Sequence, residues 1–165
     1  MTVWLSESQQ KDWRAFVSMV NLLPYQFGRI LQDDFGIGLS DYEILVRLSE
    51  SADRSMRMSE LAASTLSSRS RLSHQIDRLE KAGLVARRAC ETDRRGSIAE
   101  MTEAGWQLLV KAAPIHVQSV RVHLVDVLTE DELKTLGEIS NKVLEKLTPE
   151  LQDKIITAPG CDLQG

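Results

Sequence analysis

Two cysteines, Cys90 and Cys161, are the whole thiol complement of this 165-residue chain. That is too few for a disulfide framework, and their spacing makes no CxxC metal pair. The three histidines, His74, His116 and His123, are scattered. The last two fall on one helix face but bring no further ligand at site spacing, so neither a metal nor a cofactor is expected. No GxGxxG, P-loop, nucleophile elbow or HExxH occurs, so no catalytic residue is singled out and the chain reads as a non-enzyme. No apolar run approaches the roughly 20 residues that span a bilayer. The opening MTVWLSESQQKDW has no basic segment followed by an apolar one, the mark of a signal peptide. The expectation is a cytoplasmic protein with no membrane partner, free of internal repeats and low-complexity tracts.

An overall positive charge is also missing. The net charge is −4 and the pI about 5.4, which would argue against a polyanionic partner if the charge were evenly spread. It is not. Residues 54–95 hold ten of the 20 Lys and Arg, nine of them Arg, against five of the 24 Asp and Glu. This block carries a formal +5 inside a remainder of −9, a local docking surface for a polyanion. The length fits one domain with helical extensions.

Before the block, residues 6–33 carry Trp13, Phe16, Val20, Leu23, Phe27 and Ile30 at spacings of three and four, one apolar helical stripe. Ser6 with Gln9 forms a capping-box pattern at its start, and Pro24 should kink or split it. Such a stripe needs the C-terminal helices or a second chain to cover it. A second capping box, Ser40 with Glu43, opens a helix running to about Glu50, followed by a polar loop over 51–57. Ser59 then caps a short helix, Glu60 to about Leu66, and a tight turn leads into a second, about Ser68 to Ala82. Leu72, Ile76 and Leu79 form the buried face of that second helix, Ser70, Arg71, His74, Arg78 and Lys81 its outer face, and Gly83 ends it in a left-handed conformation. Two helices joined this way, the second presenting Ser, Arg and His outward, follow helix-turn-helix grammar. Leu84 to Cys90 and Ser97 to Met101 then make a β-hairpin with Arg94 and Arg95 at its tip, suited to a minor groove. Thr102 caps a helix to about Val127, interrupted by Pro114. Thr129 with Glu132 caps another to about Leu147, and Thr148-Pro149 starts a short last helix.

Four segments stand in register: Met58-Ser59-Glu60-Leu61-Ala62, Ile76-Asp77-Arg78-Leu79-Glu80-Lys81-Ala82-Gly83-Leu84-Val85, Asp93-Arg94-Arg95-Gly96 and Met101-Thr102-Glu103-Ala104-Gly105. With the helix order around them, the chain resembles the MarR family of winged-helix transcription regulators. The fold expected is mainly α (α+β): a winged helix-turn-helix lobe with a two-stranded wing over 40–102, flanked by a dimerisation helix over 6–34 and dimerisation helices over 103–157, with a disordered tail over 158–165. The resemblance implies a homodimer laying two recognition helices into successive major grooves of a pseudo-palindromic double-stranded DNA operator, with the wings in adjacent minor grooves. It also implies release of the DNA by a small aromatic or phenolic ligand, or by cysteine oxidation.

Carried onto this sequence, the DNA contacts are Ser68, Arg69, Ser70, Arg71, Ser73, His74, Arg94 and Arg95, with Asp93 orienting Arg95. Trp13, Phe16, Tyr25, Tyr42 and His116 are candidate walls of an effector pocket, set against the plainer reading of an aromatic stripe as core. Of Arg87 and Arg88, on opposite faces of one strand, at most one faces DNA. Cys90, at the base of the wing near Arg87, Arg88 and Arg94, is a candidate redox thiol, because nearby positive charge favours the thiolate. Two alternatives stand beside the ligand-responsive repressor. One is a thiol-based sensor acting through Cys90, and the other is a winged-helix module that binds an acidic protein rather than an operator.

Overall fold

In the computed structural model, residues 2–90 and 93–147 are described; of Asp93, Arg94 and Arg95 only the backbone is. The expected short helix after Thr148, the tail and Cys161 lie outside the described residues. Helix α1 is Glu7–Phe35. The Ser6/Gln9 capping box forms in both directions, at 3.2 Å from Gln9 N to Ser6 Oγ and 2.9 Å from Ser6 N to Gln9 Oε1. The helix runs through Pro24 as a single element, so of the expected kink or split the split does not occur. Gly36, at φ 70, ends it.

Helix α2, Leu39–Ser49, starts one residue before Ser40. The expected Ser40/Glu43 capping box is therefore absent, and Gly38 is the N-cap, without a side-chain bond. Glu43 is half-buried instead, and desolvation raises its carboxyl above the usual range against the pull of Arg47 and Arg71. Helix α3, Met58–Ser64, and helix α4, Arg69–Lys81, are the expected pair, though α3 starts at Met58 rather than after Ser59. It also stops short of Leu66, because the hydroxyls of Ser64 and Thr65 both fold back onto the Leu61 carbonyl, at 3.0 and 2.9 Å. Leu66 then turns the chain at φ 50.

The 51–57 segment is not the expected loop. A 3₁₀ turn over 52–54 leads into strand β1, Ser55–Arg57, which pairs antiparallel with β3, Asp93–Met101. β3 also pairs with β2, Val85–Cys90. The β2–β3 hairpin forms the two-stranded wing, and β1 joins it on the β3 side to complete a three-stranded sheet of order β1-β3-β2. A three-residue polar segment shows no period of its own; its pairing is supplied by β3. The second wing strand also begins at Asp93 rather than Ser97, so Arg94 and Arg95 stand in its first turn-proximal residues rather than in a loop.

Helix α5, Glu103–His123, is capped by Thr102, whose Oγ1 accepts from Gly105 N at 3.1 Å. It ends before the expected Val127, because Leu124 leaves helical geometry and a 3₁₀ turn follows over 125–127. Helix α6 is Glu130–Leu147. The Thr129/Glu132 box forms at its start, and the hydrogen bonds from Thr129 hold the Glu132 carboxyl below its ordinary value.

The core is built where α2–α5, the sheet and the end of α1 meet: Leu31, Ile44, Leu45, Leu61, Leu72, Ile76 and Leu109 have no exposed surface. At about 1.5–3 kcal/mol per fully buried side chain, this cluster holds the lobe together. Outside it, the helices are bare. Leu31 is the one buried residue of α1, and α6 has none among the described residues. No helix of the described residues is long and apolar enough to cross a membrane.

Candidate nucleic-acid interface

Helix α4 is held by one face. Leu72, Gln75, Ile76 and Leu79 are buried in the lobe. Ser68 caps the helix by accepting from Arg71 N at 3.2 Å, which fixes its first turn. At 3.6 residues per turn, Ser70 and His74 point away from the buried side, and both are exposed, His74 by 77% of its side chain. Arg69 and Ser73 lie on one flank, Arg71 and Arg78 on the other. Each flank opens on a concave surface. Toward the wing, a cleft of about 540 Å³ is lined by Arg57, Ser59, Arg69, Ser73, Arg87 and Ser97, among others. Toward α2, a second of about 440 Å³ is lined by Ser40, Ser68, Ser70, Arg71, His74 and Arg78, with Gln75 at its floor. Among the described residues no carboxylate lines either one.

The arginines of the basic block divide by what they touch. Arg87 crosses from β2 to α4, pairing with Asp77 at 2.6 Å and Glu80 at 3.7 Å and donating to the Ser73 carbonyl at 2.8 Å. Arg78 pairs at 2.8 Å with Asp41, a mostly buried carboxylate in the first turn of α2. Arg88 pairs with Glu100 on the neighbouring strand at 3.0 Å. Arg54 lies 3.9 Å over the Trp106 ring and 3.4 Å from Glu103. These four tie α2, α4, the sheet and α5 into one body. Arg69 and Arg71, by contrast, are exposed and make no ion pair among the described residues. His74 stands 4.0 Å from Asp77, a pair that forms only when the imidazole is protonated.

Of the wing residues, Asp93, Arg94 and Arg95 lie on β3, and the expected contact of Asp93 with Arg95 lies outside the described side chains. Cys90 is buried, 6% exposed, at a register shift in the hairpin. The two arginines before it in sequence are engaged with α4 and Glu100 rather than aimed at its thiol.

The five candidate pocket residues do not come together. Tyr42 and His116 do, at 4.6 Å between ring centroids. Trp13 and Phe16 pair with each other at 5.9 Å on the outer half of α1, 55% and 49% exposed, and Tyr25 is exposed as well. The partner of Tyr42 and His116 is instead Phe27, edge-on to His116 at 5.5 Å, with His123 beyond it at 6.4 Å. By sequence Phe27 is one more member of the α1 stripe; only the approach of α5 distinguishes it. Burial lowers the His116 pKa, and its Nδ1 is buried without a hydrogen-bond partner among the described residues. Neither cleft beside α4 includes any of the five. Among the described residues no cluster of His, Cys, Asp and Glu could hold a metal ion.

A short capped helix offered outward between two cationic clefts, a strand hairpin beside it and long flanking helices define a winged helix-turn-helix module. A sequence model of the MarR family matches residues 35–96. The chain is 30% identical over 121 residues to the transcriptional repressor MprA of Escherichia coli, covering 73% of this chain and 68% of that protein. Among solved structures it is similar to AbsC, a MarR family transcriptional regulator from Streptomyces coelicolor, at 46% identity and a TM-score of 0.85 over 90% of this chain and 100% of that one. It is similar also to Sco3205 from the same organism, solved in complex with DNA, at 42% identity and a TM-score of 0.87 over 91% and 94%. The chain belongs to the MarR family of winged-helix transcription regulators and is not an enzyme.

Proposed function

We propose that this regulator is a homodimeric repressor that binds a pseudo-palindromic operator and is released from it by a small aromatic or phenolic ligand. The observation that carries the DNA-contact assignment is the pair of exposed arginines, Arg69 and Arg71, which make no ion pair among the described residues, on the first turn of a helix whose Arg78 is tied to Asp41. Ser70 and His74 face the base edges and Arg95 enters the minor groove, oriented by Asp93. DNA in complex with Sco3205 and the repressor role in the name of MprA support the reading.

Residues 6–34 and 103–157 form the dimer, with 40–102 as the DNA-binding lobe. The apolar stripes left bare support this: Trp13, Phe16 and Val20 on α1, Val117 and Val122 on α5, Ile139, Val143 and Leu147 on α6, all between 41% and 70% exposed. The effector seats against Tyr42, Phe27 and His116, where an orphan ring nitrogen awaits a polar partner. The test is a mobility-shift titration on duplexes selected from a random pool. Nanomolar binding to one inverted repeat, falling steeply with salt, is expected. Arg95→Ala should weaken it by about 1–3 kcal/mol. Binding that ignores duplex sequence, with tighter capture of an acidic protein, would establish the protein-binding alternative instead. Sedimentation at micromolar concentration should give twice the chain mass.

A further inference from the structure

Helix α2 buries Asp41, Tyr42, Ile44, Leu45 and Leu48 in the lobe. Its other face carries Ser40, Glu43, Arg47 and the C-cap Glu50 at spacings of three and four, one stripe along a helix. Each of these four is half-buried rather than exposed, so the charges of the stripe are partly stripped of water. At the inner end Arg47 pairs with Glu50 at 3.3 Å, with only 17% and 13% of the two side chains exposed. The Arg47 Nε is buried without a hydrogen-bond partner among the described residues. At the outer end Ser40 lines the α2-side cleft together with Arg71, His74 and Arg78 of α4. Glu43 lies between the two ends, and the charges that act on it are Arg47 from its own helix and Arg71 from α4. Charge therefore alternates from the reading helix inward: Arg71, Glu43, Arg47, Glu50. The other charged groups at this interface are turned to other partners. Asp41 holds Arg78 at 2.8 Å, and His74 stands 4.0 Å from Asp77. The remaining elements packed on α2, namely α1, α3, α5, β1 and β3, bring no further charge to bear on Glu43 among the described residues.

We propose that Glu43 is a positioning residue for Arg71, a counter-charge behind the reading helix, and that operator binding takes up a proton at its carboxylate. This rests on the DNA-binding reading above. Burial disfavours the ionised carboxyl and raises its pKa, and the two guanidinium groups pull the other way. In the free protein the carboxylate draws Arg71 toward α2. Arg71 nonetheless stays exposed and makes no ion pair among the described residues, so it can turn outward. A phosphate brought to Arg71 shares that guanidinium and places a second anion near Glu43. Both effects disfavour the carboxylate, so the complex holds a proton from solvent more tightly than the free protein does. The sign follows from linkage: the bound state carries more protons, so affinity rises as the pH falls through the range of this carboxyl. Arg47 keeps Glu50 throughout, which leaves the lobe itself intact.

The experiment uses the full-length protein and the operator selected above, titrated by fluorescence anisotropy from pH 7.5 to 5.5 at fixed ionic strength. Wild-type affinity should rise about tenfold more than that of Glu43→Gln over this interval, an average uptake of about half a proton. Glu43→Gln, permanently uncharged, should bind the tighter of the two at pH 7.5, and the two curves should converge at low pH. A proton taken up at His74 is common to both proteins and cancels in the comparison. In an Arg71→Gln background, Glu43→Gln should change neither the affinity nor its pH profile, because the cation it acts through is gone. Calorimetry of the wild type at pH 6 in two buffers of different ionisation enthalpy reads proton uptake directly, whether or not the variants fold. Equal heats in the two buffers, or a wild-type pH profile in Glu43→Gln, overturn the assignment while DNA binding stands. So does an equal effect of Glu43→Gln with and without Arg71, which would make Glu43 merely structural. A wild-type protein that selects no duplex at any pH overturns both.

Discussion

Gly105 stands in the first turn of α5, where that helix crosses the end of the sheet. A Cβ added there would lie 2.2 Å from the Leu84 carbonyl oxygen and 2.9 Å from Met101 Cγ. The carbonyl cannot swing aside, because it accepts from Thr102 N at 3.1 Å, while Thr102 Oγ1 also donates to the Gly83 carbonyl at 2.7 Å. Gly105→Ala therefore forces α5 away from β2 and strains the bonds that join the wing to its supporting helix. Overpacking against backbone costs toward the upper end of about 1–3 kcal/mol. Alanine in a helix returns about 1 kcal/mol relative to glycine. The net loss is about 2 kcal/mol, or roughly 4–8 °C in Tm for a chain of this size. Gly28→Ala is the control: it is also inside a helix, but its Cβ would meet Leu39 Cβ at an ordinary 3.6 Å, so it should gain about 1 kcal/mol. Urea unfolding followed by far-UV circular dichroism, at one fixed protein concentration because self-association of the proposed dimer would shift the midpoint, measures both. A Gly105→Ala protein as stable as wild type, or a Gly28→Ala protein destabilised by the same amount, would refute the close-approach argument.

Burial depresses the His116 pKa, so the unfolded chain takes up that proton more readily than the folded one. The stability conferred by the neutral ring is complete above the unfolded value of about 6.5 and falls as the pH drops below it, until the folded value is passed, at no more than about 1.4 kcal/mol per pH unit. His116→Phe keeps a ring against Tyr42 and Phe27 and should remove that loss; unfolding curves for the two proteins that run parallel between pH 7 and 5 would count against it. Arg87→Met removes the link from β2 to α4 and should cost about 1–2 kcal/mol of stability, and Arg87→Lys should recover little of it for want of a planar fork. Full stability of Arg87→Met in urea would show the brace to be idle. Arg71→Gln should lower the slope of log K against log salt by about one per contacted phosphate, whereas Arg88→Gln, the same formal change at an arginine paired with Glu100, should leave it unchanged. Equal slopes for the two variants would mean that local pairing does not sort the readers from the braces.

What the sequence made legible was whatever carries its own period or cap. The stripe of α1, the buried triad Leu72, Ile76 and Leu79, and the Ser6, Thr102 and Thr129 caps are local statements, and the fold honours each of them. What escaped was non-local. Strand β1 exists because β3 offers it a partner, and no pattern within Ser55–Arg57 announces it. Ser40 and Glu43 have the spacing of a capping box but sit one residue inside the helix, since the chain leaving Gly36 enters α2 at Gly38. Of the candidate site, the reading helix was legible, but the roles of its arginines were not. Charge counting treats Arg54, Arg78, Arg87 and Arg88 like Arg69 and Arg71, and only the positions of Asp41, Asp77, Glu80, Glu100 and Glu103 separate them. The aromatic candidates failed for the same reason: which rings meet is set by where α5 crosses α1 and α2, so Phe27 replaces Trp13, Phe16 and Tyr25 beside His116.

The distribution of burial has a mechanical consequence. The lobe closes its own core within one chain, but α6 and most of α1 are left uncovered among the described residues. Such helices are marginal alone, since isolated helices draw most of their stability from packing. Folding of the lobe and covering of the long helices are therefore separable, and in the proposed dimer the angle between two lobes would be set where the long helices join the lobe. The Phe27, Tyr42 and His116 cluster lies on that seam, with one ring from each of α1, α2 and α5. Under the proposed ligand response, a planar ligand wedged there between α1 and the lobe would need no contact with α4. It would shift α1 against a body already tied together by Arg78 on Asp41, Arg87 on Asp77 and Arg54 on Glu103. In the proposed dimer, two reading helices that must match grooves about 34 Å apart would tolerate little of such movement, which would make the seam a more effective place for an effector than the DNA-facing surface itself.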